Sequence, residues 1–338
     1  MSDIYYAVAH RPQTEIDTFK TRYEDFPALL IPEIFKTTMD LTVTTWRPSD
    51  SWGTSHVIYY VKTKELDREL ILRANLGVSA PEAAMEIEKL VTDEVLKLGL
   101  KTNQILHADI TRTRFPFDYQ IEEVLEGEDP ENHWTGTQAE YDQVSFDLGV
   151  YVATYHQLQF PGFGLFDAQS AQQGQLRGSK TSFFEYLTTC LESDLAKLKE
   201  FHVLNRNQVE GVKKVFIERE QLVNSTPCVL IHHDLADHNL LCVNNKLSGV
   251  FDWETCGVGD PVLDLASCPT WRTHHPREEK LLEGYQTISK LPTDFNDRRD
   301  LYRLRTMLWK MVFAIRAGIL NEDRKKKFYT ALEPFSLI

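Results

Sequence analysis

The chain has 338 residues, of which 42% are hydrophobic and 26% are charged, a composition typical of folded proteins rather than disordered ones. Lys and Arg total 37 against 50 Asp and Glu, and the formal net charge of −13 argues against non-specific binding to nucleic acid. No segment approaches the roughly 20 apolar residues that span a membrane, and the N-terminus lacks the apolar core of a signal peptide. We therefore expect a cytoplasmic protein without a membrane or nucleic-acid partner.

The N-terminal part of the chain combines strand-like segments with one well-marked helix. Helical spacing of apolar residues covers about the first 40 residues, and β-type alternation begins at Leu41. Residues 79–82 (SAPE) fit a helix-capping box with proline in the first turn, and Gly99 follows the last apolar position of that helix. Further strand-like segments lie at 57–61, 70–72, 104–107 and 119–124.

Beyond Gly127 the pattern is mostly helical to the C-terminus, except for an interruption near 229–251. The change of pattern places a crossover near residue 125. The sequence therefore predicts a mixed N-terminal lobe, residues 1–125, followed by a larger and mainly helical C-terminal lobe, residues 126–338.

Polar residues cluster around a predicted hairpin in the interrupted region. Asp234 follows a short apolar strand, Asn239 comes five residues later, and Asp252 closes the return strand. We expect Val243 to pair with Ser248 around the turn, and this register sets Asn239 opposite Asp252. Residues directly opposite in a hairpin have Cβ atoms about 4.5–5.5 Å apart, so one cation can contact both side chains.

The residue types in this cluster favour phosphoryl transfer. A carboxylate and an amide oxygen suit a magnesium ion that keeps several waters and binds phosphates. The second carboxylate is then available to receive a proton from an acceptor hydroxyl. A metal clamp on the phosphates and a base that aligns the acceptor are the parts that this reaction requires.

Three motifs closely resemble the aminoglycoside phosphotransferase and choline kinase-like superfamily: HHDLADHN at 232–239, FDWE at 251–254 and GDPVLDLA at 259–266. The usual pattern there is H-G-D-x-x-x-x-N, then (I/V)-D-W, then G-D-P-x-x-D-L-A. The resemblance implies Asp234 as catalytic base, Asn239 and Asp252 as magnesium ligands, and His232 as a catalytic-site residue that orders the loop. His233 departs from the pattern, which usually has glycine at that position.

The resemblance also implies a fold. It predicts the α+β class and a bilobal protein kinase-like architecture, in which the small N-terminal lobe holds an antiparallel sheet and one key helix. Gly53 and Ser55 lie in a segment similar to the family's phosphate-covering turn. Arg73 occupies the position of the phosphate-binding cation, and Glu88 that of the carboxylate that pairs with it. Glu88 lies beside the apolar Ile87 on the predicted helix, so we expect it to point inward towards Arg73.

Residues 119–127 (YQIEEVLEG) resemble the interlobe segment to which the family binds its nucleotide base. By that likeness the carbonyl of Glu123 and the amide of Leu125 form the hydrogen bonds. The implied activity is transfer of the γ-phosphate of ATP or GTP, with Mg²⁺, to a hydroxyl of a small molecule. The acidic chain favours a cationic acceptor such as an aminoglycoside or an amino alcohol.

The acceptor site is the least defined part of the sequence. The candidates are Glu254, Asp260 and Trp271, because all three lie in or just after the motifs named above. Asp260 also precedes a proline at a predicted helix start, where Asp commonly caps a helix. Acceptor identity and the choice between ATP and GTP stay open at this point.

Two other interpretations use the same residues. A catalytically silent kinase-like nucleotide-binding or scaffold protein would have lost the base or a metal ligand, whereas all three groups are present here. A metallohydrolase would instead draw on the three histidines of the HHDLADHN motif together with its two aspartates. Such a site would need further ligands from other helices, and none stands out in the sequence.

Overall fold

The computed structural model describes residues 21–49, 56–77, 83–268, 270 and 277–338. The N-terminal lobe is built on a five-stranded antiparallel sheet in the order β1-β2-β3-β5-β4. Its strands are β1 (Val43–Pro48), β2 (Val57–Thr63), β3 (Leu70–Asn75), β4 (Ile105–Asp109) and β5 (Asp118–Glu123). Its helices are α1 (Arg22–Asp25), α2 (Ile31–Met39) and α3 (Ala84–Lys97), with a 3₁₀ turn at Ala28–Leu30.

Helix α2 covers the outer face of this sheet. It has a proline in its first turn and ends at Asp40, which adopts a left-handed conformation with φ of 57°. Its apolar residues Ile31, Ile34 and Phe35 are buried in a core with alternate residues of β2, β3 and β5. The helical extension predicted before the sheet is therefore confirmed within the described residues.

Helix α3 joins the two lobes. Ile87, Val91 and Val95 recur at helical spacing and are buried in the larger core, which continues through the C-terminal lobe. Glu88, one residue after Ile87, is also fully buried. The helix and its end near Gly99 are confirmed, whereas the predicted capping box at 79–82 lies outside the described residues.

The C-terminal lobe is mainly helical, as predicted. Its helices are α4 (Pro130–His133), α5 (Gln138–Tyr155), α6 (Ala168–Ala171), α7 (Phe183–Leu187), α8 (Leu191–Glu200), α9 (Arg206–Glu218), α10 (Glu220–Asn224), α11 (Pro261–Ser267), α12 (Glu278–Tyr285), α13 (Phe295–Arg316) and α14 (Glu322–Thr330). Short 3₁₀ turns lie at Asp237–Asn239 and Glu333–Phe335. No helix among the described residues is both long and apolar enough to cross a membrane.

A second, four-stranded sheet lies within this lobe in the order β7-β6-β11-β8. Its strands are β6 (Phe163–Phe166), β7 (Gly178–Lys180), β8 (Val229–Ile231) and β11 (Gly257–Gly259). All of its pairings are antiparallel. Of these strands the sequence indicated only β8, because three- and four-residue segments rich in glycine show no alternation.

The hairpin that borders the predicted catalytic site, named the catalytic hairpin for that prediction, consists of β9 (Leu240–Val243) and β10 (Lys246–Val250). Val243 pairs with Lys246, so the expected Val243–Ser248 register is wrong. Asn244 and Asn245 both have positive φ angles, 50° and 59°, which is typical of a two-residue hairpin turn of type I′. The register then shifts by one residue between Leu247 and Gly249.

This shift changes what faces Asn239. The Phe251 amide donates to the Asn239 carbonyl at 3.0 Å, so that Phe251 rather than Asp252 lies across from Asn239. Asp252 is the next residue and has a φ angle of 66°. Its left-handed backbone, which Asp tolerates better than most residues, turns the chain at the end of the hairpin.

The crossover between the lobes is attached to this hairpin. Glu128 and Cys242 exchange both backbone hydrogen bonds, at 3.1 and 2.9 Å. Gly127 has a φ angle of 128°, and a Cβ atom there would lie 2.8 Å from the Cys242 carbonyl oxygen. Only glycine fits this close approach. The interlobe segment is therefore fixed against the strand that follows Asn239.

The two-lobed α+β arrangement, with an antiparallel sheet and one buried helix in the smaller lobe, is confirmed. Two apolar cores correspond to it. One lies between α2 and the five-stranded sheet, and the other fills the helical lobe and includes α3. The cleft that carries the predicted site lies where β3, α3 and the catalytic hairpin meet.

Candidate active site

A single buried carboxylate holds the loop that carries the predicted base. Asp264, on α11, accepts the backbone N–H groups of His232 and His233, each at 2.8 Å. It also accepts the Tyr155 hydroxyl at 2.6 Å and lies 3.3 Å from Nε2 of His156. Burial raises the pKa of Asp264, the hydrogen bond and charge of His156 lower it, and the net shift is downward. An ionised Asp264 thus holds the first two backbone N–H groups of this loop in place.

The ring of His232 links this loop to the metal-side strand. Nδ1 accepts the Asp234 backbone N–H at 3.3 Å, and Nε2 lies 3.0 Å from the Phe251 carbonyl oxygen. Accepting at one nitrogen and donating at the other requires the neutral ring with its proton on Nε2. The ring is fully buried, with its centroid 4.4 Å from that of Trp253. This position matches the loop-ordering role that the resemblance implies.

The predicted base, Asp234, lies beside Asn239 as the spacing indicates. The Asn239 amide nitrogen donates to the Asp234 carbonyl at 2.8 Å and to its Oδ2 at 3.1 Å. His238 Nε2 lies 3.4 Å from the same Oδ2. No described residue hydrogen-bonds the other oxygen, Oδ1, and the side chain is 36% exposed. One carboxylate oxygen therefore faces an open position in which an acceptor hydroxyl can donate to it.

Asp234 is ionised at neutral pH. Burial raises the pKa of this carboxyl, but the hydrogen bond and charge of His238, with a further contribution from Lys310, lower the pKa well below its usual range. A carboxylate of this kind is acceptor-only. It can orient an acceptor hydroxyl before transfer and receive its proton late in the reaction.

The departure at position 233 has a structural explanation. His233 has a φ angle of 72°, in the region that favours glycine. Its ring is buried, with Nδ1 2.6 Å from the Thr255 carbonyl oxygen and Nε2 3.0 Å from the Tyr186 hydroxyl. Burial lowers the pKa of His233 to about 4, so the ring is neutral. The side chain offsets the backbone strain by tying the loop to the segment after Asp252.

We expect His233→Ala to lower the free energy of unfolding by about 2–4 kcal/mol, because it removes both ring hydrogen bonds and leaves a Cβ atom at positive φ. His233→Gly loses the same contacts but relieves the strain, so it should be about 1 kcal/mol more stable than the Ala variant. Urea unfolding of the three proteins measures both differences. Equal stability of the Ala and Gly variants would show that the backbone is not strained at this position.

The same residue predicts a pH dependence. The unfolded chain binds a proton at His233 near pH 6.5, whereas the folded chain does so only near pH 4. The pKa is lower in the folded state, so this contribution to stability is present above pH 6.5 and is lost as the pH falls from 6.5 towards 4. The difference in the free energy of unfolding between wild type and His233→Gly should be smaller at pH 5 than at pH 7. An equal difference at both pH values would contradict the conclusion that the His233 ring is buried and neutral.

The predicted phosphate-binding cation, Arg73, lies on β3 at the centre of an ion-pair cluster. Its Nη1 donates to Glu88 at 2.8 Å, and its Nη2 donates to Asp252 at 3.0 Å and to Glu254 at 2.7 Å. Glu254 also lies 2.5 Å from His56 Nε2. The cluster joins the sheet, helix α3 and the end of the catalytic hairpin, which is the arrangement expected of a phosphate-binding cleft.

Glu88 receives three donors. Besides Arg73, the Gln120 side chain donates to its Oε2 at 3.2 Å and the Trp253 backbone N–H donates to its Oε1 at 3.1 Å. Burial raises the pKa of Glu88, and the Arg73 guanidinium acts in the opposite direction. The inward orientation predicted for Glu88 is confirmed. The hydrogen bond from the Trp253 backbone also helps to position Asp252, the preceding residue, relative to helix α3.

Asn239 and Asp252 each keep a side-chain oxygen that could hold a magnesium ion. Because Asn239 donates through Nδ2 to Asp234, its amide oxygen Oδ1 is oriented away as an acceptor. Asp252 is 30% exposed, and only its Oδ1 is used by Arg73 among the described residues. No group of three or more acidic, His or Cys residues in the described part of the chain could hold a metal. Few protein ligands are what magnesium requires when water and phosphate complete its shell.

The absence of such a group among the described residues also argues against the metallohydrolase interpretation. Its histidines have other partners. His232 and His233 are buried in the contacts given above, and His238 lies 3.4 Å from both Asp234 and Glu131.

The prediction that Asp260 binds the acceptor is corrected by its surroundings. Asp260 caps helix α11 by accepting the Val262 N–H at 2.9 Å, and its other oxygen accepts Arg298 and the Tyr302 hydroxyl, each at 2.6 Å. Its side chain is only 2% exposed. Both oxygens are used within the helical lobe, so Asp260 stabilises the fold and leaves no group for an acceptor.

The other predicted residues differ in what the structure says of them. Glu254 contacts Arg73, so it lies on the phosphate side of the cleft. Glu123 ends β5 and Leu125 follows in the interlobe segment, where the Glu123 N–H bonds to the Gln104 carbonyl at 2.9 Å. Gly53, Ser55 and Trp271 lie outside the described residues.

The sequence analysis missed two features of the cleft. Glu254 was available as a phosphate-side carboxylate, because it follows Asp252 by two residues and could be expected on the same side of an extended segment. Glu122, on β5, is buried and receives a hydrogen bond from Asn103. Burial raises the pKa of Glu122, with Arg73 and Asn103 acting the other way. The sequence indicated an inward-facing Glu122 only through its position two residues after Gln120, on the same face of the strand.

This geometry agrees with the comparison against protein families. A family model described as the phosphotransferase enzyme family matches residues 48–301, which is well over half of the chain. The protein belongs to this family. The resemblance stated from the three motifs is confirmed.

Sequence relatives of the phosphotransferase include a probable ketoamine kinase of Klebsiella aerogenes, which is 29% identical over 169 residues. That match covers 48% of this chain and 56% of the relative, so it spans little more than half of the relative's length. A probable ketoamine kinase of Klebsiella pneumoniae is 34% identical over 91 residues, covering 27% of this chain and 70% of the relative.

Solved structures confirm the kinase-like fold of the phosphotransferase. Aminoglycoside phosphotransferase APH(4)-Ia, in a ternary complex with ADP and hygromycin B, superposes with a TM-score of 0.67 at 16% identity, covering 90% of this chain and 97% of the other. Macrolide 2′-phosphotransferase MphH from Brachybacterium faecium has a TM-score of 0.60 at 17% identity, with coverage of 91% and 99%. At such identities the likeness establishes the fold alone.

Proposed function

We propose that the phosphotransferase moves the γ-phosphate of a purine nucleoside triphosphate to a hydroxyl of a small amine-bearing polyol. The observation that carries the proposal is a set of bonds that links these groups. Asp234 is bonded to Asn239, whose carbonyl accepts the Phe251 N–H, and the next residue, Asp252, is bonded to Arg73. This arrangement supports a base, two oxygen ligands and a phosphate-binding cation acting together, as phosphoryl transfer needs.

In this proposal each group has one task. Asp234 orients the acceptor hydroxyl through its open oxygen, and Asn239 and Asp252 hold magnesium, which would neutralise charge on the phosphates. Arg73, braced by Glu88, binds phosphate oxygens. Glu254 is within reach of the same phosphates or metal because it shares Arg73 with Asp252.

The base-binding and lobe assignments remain predictions. The Glu123 carbonyl and the Leu125 amide lie in the interlobe segment, where a purine can meet an acceptor and a donor in turn. Gly53 and Ser55 would cover the phosphates, and the lobes would divide at residues 125 and 126. The presence of base, cation and metal ligands together supports an enzyme over the catalytically silent alternative.

The acceptor proposal draws on the names of the sequence relatives. A ketoamine is a sugar derivative whose secondary amine is protonated at neutral pH, and it carries several hydroxyls. It therefore satisfies the cationic character that the net charge of −13 favours. The antibiotic ligand of the structural relatives, hygromycin B, is also an amine-bearing polyol. We expect a ketoamine to be the better substrate, because the relatives that share more sequence carry that name.

ADP release with Mg-ATP tests this choice directly. The acceptors to compare are a fructosyl-amine, hygromycin B, streptomycin and choline, with water and the Asp234→Asn variant as blanks. We expect release above both blanks, with the highest kcat/KM for the fructosyl-amine. A higher kcat/KM for an aminoglycoside would replace the ketoamine proposal. No release above the blanks with any acceptor would count against a small amine-bearing polyol as substrate.

A further inference from the structure

A buried carboxylate lies at the inner face of the strand that leads into the interlobe segment. Glu122 is the last residue but one of β5 and is 7% exposed. In the sheet, Glu122 pairs with Ile71 and Gln120 pairs with Arg73. Residues two apart on a strand share a face, so Glu122 is on the face that carries Arg73. It therefore borders the space between the phosphate-binding cation and the backbone groups of Glu123 and Leu125.

A chain of hydrogen bonds runs from the metal side of the cleft to this carboxylate. The Trp253 indole Nε1 is 3.0 Å from the Thr102 hydroxyl, which is 3.1 Å from Oδ1 of Asn103. The Asn103 amide nitrogen then bonds to Oε2 of Glu122. All four side chains are buried. Water therefore has little part in setting the direction of these bonds.

The Trp253 indole, at the start of this chain, determines which group donates in each hydrogen bond that follows. An indole N–H only donates, so the Thr102 hydroxyl accepts from Trp253 and its proton points to the Asn103 oxygen. The Asn103 amide is thereby oriented with its nitrogen towards Glu122, whose Oε2 must accept. The orientation of the Asn103 amide, which is otherwise interchangeable, follows from its neighbours.

The second oxygen of Glu122 has no hydrogen-bond donor among the described residues, although Arg73 acts on the carboxylate through its charge. This oxygen is not fully enclosed by the protein, so a ligand in the cleft can reach it and supply a donor. An amino group satisfies it, whereas an oxo group at the same place sets two acceptors against each other.

We propose that Glu122 selects adenine over 6-oxopurine nucleotides by accepting a hydrogen bond from the exocyclic amino group of the base. This inference rests on the proposed function, since it requires a purine nucleotide in the cleft. The adenine amino group has two N–H bonds, one for the Glu123 carbonyl and one for the Glu122 carboxylate. Guanine and hypoxanthine present an oxygen at this position. The phosphotransferase therefore uses ATP rather than GTP.

Glu122→Gln reverses the chemistry with almost no change of shape. The Asn103 nitrogen still needs an acceptor, so the oxygen of the new side-chain amide faces it and the new NH₂ group faces the base. We expect the ratio of the dissociation constants of Mg-IDP and Mg-ADP to fall at least tenfold relative to wild type. Glu33→Gln is the matched control, because it makes the same change on helix α2, where the side chain pairs with Arg114 at the surface. Its ratio should stay within twofold of wild type.

Titration calorimetry with Mg-ADP and Mg-IDP measures these constants without an acceptor. The backbone groups of the interlobe segment act in every variant, so the change of the ratio isolates the side chain. If Glu122→Gln is not folded by its thermal transition, Glu122→Met serves instead. Because Met neither donates nor accepts here, its ratio should also fall about tenfold.

The outcomes separate the two proposals. Wild type that binds neither nucleotide contradicts the proposed function itself. Wild type that binds both, with a ratio unchanged in the folded Glu122 variants, leaves the proposed function in place and overturns the role of Glu122. Wild type that binds Mg-IDP more tightly than Mg-ADP overturns it as well, because Glu122 would then donate rather than accept.

Discussion

An Asp234→Asn enzyme should turn over about a thousandfold more slowly than wild type at pH 7, with KM values for both substrates within about threefold. The variant keeps the shape of the side chain and can still accept a hydrogen bond from Asn239. It can no longer take the acceptor proton, and groups of this kind contribute about 10²–10⁴-fold to rate. Loss of kcat without loss of binding is the signature of an interaction made in the transition state.

Steady-state ADP release with the best acceptor measures this effect. Asp67→Asn is the matched control, because Asp67 is an exposed carboxylate in the turn between β2 and β3 and should leave kcat unchanged. The thermal transition of each variant must show that it is folded, since the pKa of Asp234 is lowered and its charge adds stability at pH 7. Normal turnover of a folded Asp234→Asn enzyme would rule out Asp234 as the base.

The second large effect concerns the metal side of the cleft. At about 100 times its dissociation constant, Mg-ATP should stabilise the wild-type fold by about 2.7 kcal/mol and raise Tm by several degrees. We expect Asp252→Asn to lose most of this rise, because a neutral amide replaces the carboxylate that would bind the cation. The same variant should be no less stable without ligand. Burial and Glu254 raise the pKa of Asp252, with Arg73 opposing, so its charge does not stabilise the fold at neutral pH.

Scanning calorimetry with ATP in magnesium, and with ATP in EDTA, separates the metal from the nucleotide. The wild-type rise should require magnesium, and EDTA should reduce it to the level of the variant. An Asp252→Asn protein with the full magnesium-dependent rise would exclude Asp252 as a metal ligand. No rise in wild type with any purine nucleotide would remove the basis of the metal and phosphate assignments together.

Most of what the sequence could predict came from long periodic segments and from the spacing of residues within the motifs. The strands of the N-terminal sheet and helix α3 have enough apolar positions for their period to be seen, and Glu88 could be oriented from that period. Asp234 and Asn239 were correctly placed together at the start of the hairpin, because Asn239 follows Asp234 by five residues. Local geometry over such a distance depends little on the rest of the fold.

Features that depend on tertiary contacts could not be predicted. The hairpin register was set by two asparagines with positive φ and by an irregularity after Leu247, neither of which alternation reveals. Asp260 was assigned to the acceptor because its partner Arg298 lies 38 residues away on another helix. Glu254 was assigned there as well, although it follows Asp252 by two residues, because its contact with Arg73 across the cleft depends on tertiary structure.

The bonds of His232 and His233 have a consequence for how such a protein can be controlled. His232 reaches the Phe251 carbonyl, and His233 reaches the Thr255 carbonyl, so the segments on both sides of Asp252 are fastened to the loop that carries Asp234. The positions of the predicted base and the predicted metal ligand are therefore coupled through two buried side chains. We expect that a compound that displaces the segment after Asp252 would have to break the bond between His233 and Thr255.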